Sequence, residues 1–165
     1  MGYTLYWHYH KPAPKGTVDL KSLRTSFSPE FKQKVLDAIK VASNAGIGLG
    51  DWEGCPLKEE AVTDTVIKFN GLKPESCETF VITAVAPQGY WDCCKTNYGK
   101  YTALCMEILQ LAVEDGILEN WSSDGGEGDI QCRDEWHKLY ERNSNEGESE
   151  WEEDCTQKIT SDESN

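Results

Sequence analysis

Val66-Ile67-Lys68-Phe69-Asn70, Thr79-Phe80-Val81-Ile82-Thr83 and Cys93-Cys94-Lys95-Thr96 lie in the run from Val66 to Asp124, and the reading of that run decides the fold. Thr65 to Asn70 and Thr79 to Ala84 are rich in β-branched and aromatic residues, which suits two strands. Gly71-Leu72-Lys73-Pro74-Glu75-Ser76 between them suits a hairpin loop of more than minimal length. Pro87 to Asp92 reads as loop. A helix is expected from about Asn97 to Asp115, with Tyr101, Leu104, Cys105, Ile108, Leu111 and Ala112 on one face and Gly116 as its stop. Ile117 to Ser122 returns as a strand, broken by Asp124-Gly125-Gly126-Glu127-Gly128.

Working outward, Tyr3 to His10 alternates as a strand. Tyr3, Leu5, Trp7 and Tyr9 share one face, and Thr4, Tyr6, His8 and His10 share the other. Lys11-Pro12-Ala13-Pro14 stops it, because proline has no N–H to give a ladder. Ser28-Pro29-Glu30 is a helix start: a serine cap, a proline at the first helical position, an acid in the first turn. Phe31, Val35, Ile39 and Ala42 make the apolar stripe behind it, and Gly46 ends it. Ile47 and Leu49 begin a short strand or an extended loop. A last helix is expected over 130–142. The order is β-α-β-β-α-β-α, which argues for an α+β fold: a small, mostly antiparallel sheet with helices on one face.

The chain has 165 residues, enough for about one domain, placed at 1–143. Residues 144–165 hold eight acids and one base, so of the net charge of −13 the tail carries −7 and the body −6. Few apolar residues accompany those charges, and the tail is expected to be disordered. An acidic body repels phosphate backbones, which argues against direct nucleic-acid binding. No apolar run reaches the ~18 residues of a membrane helix. Nor does the start resemble a signal peptide, so the expected compartment is the cytoplasm.

Seven cysteines are present, without CxxC or zinc spacing; reduced thiols acting as small apolar residues are expected. His8 and His10 share a strand face but have no evident third ligand, so no metal is expected. No cofactor motif, nucleophile elbow or P-loop occurs.

The opening Met1-Gly2-Tyr3-Thr4-Leu5-Tyr6-Trp7 resembles a group of small bacterial and phage proteins that begin Met-Gly-Tyr-Thr-His-Tyr-Trp. The likeness continues at Phe69-Asn70-Gly71, Cys77-Glu78-Thr79-Phe80-Val81-Ile82, Cys94-Lys95-Thr96 and Ser122-Ser123-Asp124-Gly125, and so covers roughly residues 1–125 with gaps. Leu5 stands where the group has histidine, and the stretch after Thr96 departs from its pattern of basic residues, proline, tyrosine and acid. The resemblance implies a viral or bacterial source and carries no activity.

The expected ligand site is the start of the central helix. Free amides and the positive end of the dipole receive anions there. Lys95, Thr96, Asn97, Lys100 and Tyr101 surround that place, Asp124 follows the next strand, and Tyr6 and Trp7 offer an aromatic face. The expected function is a binding protein, not an enzyme, for an anionic small molecule such as a nucleotide, with sequestration of a defence signal as one use. The alternative is an acidic protein that occupies a nucleic-acid-binding surface of a host protein. A third reading gives Glu78 or Asp124 an acid–base role in a hydrolase or transferase.

Overall fold

The computed structural model describes residues 2–11, 16, 24–125, 129, 133–138 and 141. The prolines after the first strand and the acidic tail, 144–165, lie outside the described residues. The fold is α+β. Its elements are β1 (Thr4–Tyr9), α1 (Pro29–Asn44), β2 (Leu49–Gly50), β3 (Val66–Gly71), β4 (Phe80–Thr83), β5 (Trp91–Lys95), α2 (Thr102–Glu114) and β6 (Leu118–Ser123). Of the last helix expected, residues 133–138 are helical.

The strands form two three-stranded antiparallel sheets, ordered β5-β1-β6 and β2-β3-β4, in place of one. β1 takes the centre of the first because it has partners on both edges, Thr4 opposite Lys95 and Tyr6 opposite Ser122. Its alternation sorts the faces as expected: Tyr3, Leu5, Trp7 and Tyr9 are buried, whereas Tyr6 is half-buried and His8 exposed. The second sheet turns Ile67, Phe69, Phe80 and Ile82 inward. The two sheets meet where Trp7 lies 5.3 Å from Phe80, itself 5.3 Å from Phe69.

α1 begins where its cap residues place it. Ser28 Oγ accepts the Phe31 amide at 3.2 Å, and Pro29 opens the helix. The same Ser28 hydroxyl donates to Asp115 at 3.1 Å, and Arg24 bonds that carboxylate at 2.7 Å. The end of α2 is thereby tied to the start of α1. Phe31, Val35, Ala38 and Ala42 of α1 and Leu104, Cys105, Ile108 and Ala112 of α2 complete the core.

Two expectations need correction. Residues 91–95, with Trp91 and Asp92 expected as loop and the rest given no element, are β5, an edge strand recruited by the backbone of β1. The central helix starts at Thr102, not Asn97. Asn97 and Tyr98 both adopt left-handed backbone, at φ 51° and 60°, which a helix cannot continue through. Asparagine tolerates that conformation better than most residues. Tyr98 is held in it by stacking on Tyr3 at 4.4 Å between ring centres.

Candidate functional site

The predicted site divides in two once it folds. Lys95 ends β5 as an exposed side chain. Thr96 is fully buried, its amide donating to Tyr3 O at 2.9 Å and its hydroxyl accepting from Thr102 Oγ1 at 2.8 Å. The Thr102 amide in turn donates to Gly99 O at 2.9 Å. The first amide of α2 is therefore met by the chain's own Gly99 carbonyl, and Thr96 is a buried brace, not an anion contact. Asn97 is exposed on the turn.

The other expected residues are also engaged. Asp124 accepts the Thr4 amide at 2.9 Å and the Tyr6 hydroxyl at 2.8 Å, and it returns its own amide to Thr4 O at 3.0 Å. That bond to the carboxylate is the main reason the Tyr6 phenol is pushed above its ordinary range. Trp7 lies on the opposite face from Tyr6 and is fully buried, so it belongs to the core and not to an open aromatic cradle. Glu78 accepts the Lys95 amide at 2.7 Å and its amide donates to Lys95 O at 3.0 Å, which joins the second sheet to the end of β5. Asn70, also fully buried, closes the hairpin loop: Oδ1 accepts from Gly71 N at 2.7 Å and Cys77 N at 3.1 Å, and Nδ2 donates to Cys77 O at 3.0 Å.

Lys100 and Tyr101, by contrast, line a cleft of about 310 Å³. Its walls come from three places: Gly46, Ile47 and Gly48 after α1; Gly71 to Glu75 after β3; and Lys100 with Tyr101 before α2. Volumes of this size lie at the lower end of small-molecule sites. Tyr101 is nearly fully buried, and its hydroxyl donates to Glu78 O at 3.1 Å; burial pushes its phenol far above the ordinary value, so it stays neutral. The ring fits only because two glycines face it. A Cβ on Gly71 would sit 2.6 Å from Tyr101 Cδ1, and one on Gly99 2.9 Å from Cε1. Lys73 and Lys100 are exposed, and no ion pair among the described residues engages either ammonium. Glu75 shares the wall and accepts the Lys100 amide at a long 3.4 Å. The lining thus holds two ammoniums against one carboxylate.

Lys73, Glu75 and Gly46 to Gly48 had no functional reading in the sequence. Each sat in a segment that signals only a turn, and nothing local says that the three segments meet. In comparisons with known proteins, no family model, no curated protein and no solved structure matches the chain. Among the described residues no helix is long and apolar enough to cross a membrane.

Proposed function

We propose that this chain is a binding protein, not an enzyme, that takes an anionic small molecule in the cleft between Lys73 and Lys100. The carrying observation is the presence of two ammoniums without ion-pair partners among the described residues, on one cleft of a chain whose net charge is −13. Lysines unpaired in so acidic a protein concentrate positive potential locally, and a cleft focuses it. A nucleoside phosphate is the first class to test: its phosphates suit the two lysines, and the Glu75 carboxylate suits a sugar hydroxyl. Glu78 and Asp124 hold backbone amides, which gives them a structural occupation in place of acid–base work. The resemblance to bacterial and phage proteins supports a place in a bacterial cytoplasm, where holding an anionic defence signal is a reasonable task.

Calorimetric titration with nucleoside mono-, di- and triphosphates and cyclic nucleotides tests the reading. Lys73→Ala with Lys100→Ala should weaken any binding about ten-fold or more, since a charge-assisted contact is worth roughly 1.5–3 kcal/mol. Lys95→Ala, at the end of β5 outside the cleft, should leave it unchanged. Binding that survives the double substitution, or that Lys95→Ala abolishes, overturns the site.

A further inference from the structure

A second cleft, of about 280 Å³, lies on the β2–β3–β4 half of the molecule. Gly50, Asp51 and Trp52 form one wall, Leu57 to Glu60 the other, and Phe69 of β3 part of the floor. Trp52 is 74 % exposed, the most exposed large apolar side chain among the described residues. It does not hang on a slack loop. Asp51 Oδ1 accepts the amides of Glu53 and Cys55 at 2.9 and 3.0 Å. The Asp51 amide donates to Cys55 O at 2.8 Å, and Leu57 N reaches Leu49 O at 3.1 Å. An indole held in water on a braced turn is preorganised for a partner, and tryptophan is enriched among residues that carry binding energy.

The charge around it selects the partner. Residues 51–64 contain Asp51, Glu53, Glu59, Glu60 and Asp64 against Lys58, a net −4 within fourteen residues. Asp64 is occupied by Lys32 at 2.8 Å. Glu53, Glu59 and Glu60 have no ion pair among the described residues. In the cleft itself Asp51, Glu59 and Glu60 outnumber Lys58 and Lys68. Asp51, Glu53 and Cys55 do approach one another within 4.8 Å, but the Asp51 oxygen that shapes the turn is already accepting two amides.

We propose that this cleft docks a basic segment of a protein partner, with one arginine laid on the Trp52 indole and its neighbouring charges met by Glu59 and Glu60. A guanidinium over an indole gains ~0.5–2 kcal/mol, more than over any other ring, and the carboxylates beside it favour the same cation. This surface is separate from the lysine-lined cleft and stands or falls without it.

The test is a titration of the full-length, nitrogen-15-labelled chain with a short peptide of alternating glycine and arginine, followed through the tryptophan indole N–H resonances. Trp52→Ala assigns the Trp52 signal by its disappearance. That signal should shift with the arginine peptide and stay still with a citrulline counterpart, which keeps the shape and loses the charge. Glu59→Gln with Glu60→Gln should weaken binding about five-fold. Glu152→Gln with Glu153→Gln makes the same charge change in the acidic tail and should alter it by less than about two-fold. A Trp52 signal that does not move, or equal weakening by the tail pair, overturns the proposal; equal weakening means the peptide reads net charge alone.

Discussion

The turn that leads into α2 and the cleft beside it adjoin each other along the chain, yet they treat their polar groups in opposite ways. From Lys95 to Thr102, backbone and hydroxyl groups meet partners inside the protein: Thr96 with Tyr3 and Thr102, Thr102 with Gly99, Lys95 N with Glu78. Across the cleft, Lys73 and Lys100 have no ion pair among the described residues. Four residues of the motifs singled out in the sequence fall on the first side of this divide. Asn70, Glu78, Thr96 and Asp124 each close a loop or join two segments. Such residues brace a fold by their internal hydrogen bonds. Binding capacity has to be sought among groups that folding leaves unsatisfied.

The strongest way to break this comparison is Asn70→Ala. It removes one acceptor and one donor from a fully buried position and orphans the Gly71 and Cys77 amides and the Cys77 carbonyl. Each unpaired buried group costs roughly 1–3 kcal/mol, so a loss of about 3 kcal/mol or more is expected, read from urea unfolding. A loss below about 1 kcal/mol would mean that the motif is not a structural brace. Thr96→Val comes next. It keeps the shape and deprives the Thr102 hydroxyl of its acceptor, at about 1–2 kcal/mol of stability. Because Thr96 is fully buried and bonded inside the protein, anion affinity should not follow. If Thr96→Val weakens nucleotide binding while the fold persists, the helix mouth is a ligand site after all.

The cleft lysines should behave the other way round. Lys73→Ala and Lys100→Ala, singly, should change the unfolding free energy by less than about 0.5 kcal/mol, as exposed substitutions do. Each should weaken anion binding by about ten-fold, the two together by more. Raising ionic strength should weaken it in the parent chain and far less in the double variant, because screening acts on the charges removed.

Much of the frame was legible locally. The alternation of β1 sorts buried Trp7 from half-buried Tyr6, and Ser28-Pro29 marks α1 because cap chemistry acts within four residues. β5 was not legible, since Trp91-Asp92-Cys93-Cys94-Lys95 is a strand only because β1 offers it a ladder. The start of α2 was misplaced because nothing local announces the left-handed backbone of Asn97 and Tyr98, the second of which stacks on the distant Tyr3 ring. Of the expected site, Lys100 and Tyr101 reach a cleft while Thr96 and Trp7 are interior. The cleft draws on residues 46–48, 71–75 and 100–101, and their meeting is a product of tertiary packing alone.

A third kind of group lies between the satisfied and the free, and it gives the smallest expected effect. Glu107 of α2 is half-buried beside Arg133, Trp136 and His137, around a small cavity of about 50 Å³. Burial pushes its carboxyl above the usual glutamate range, against a smaller pull from His137 and Arg133. A raised native value means that the folded state holds this proton more tightly than the unfolded chain. Below the ordinary glutamate value both states are protonated and no penalty exists; as pH rises the unfolded chain ionises first, and folding loses stability until the native carboxyl has ionised too. Glu107→Gln keeps an acceptor oxygen for Trp136 and removes the charge. Its urea midpoint should match the parent in acid, exceed it slightly at neutral pH, and open that gap through the glutamate range. A variant less stable than the parent at every pH would place Glu107 with Asn70, among the groups whose bonds hold the fold.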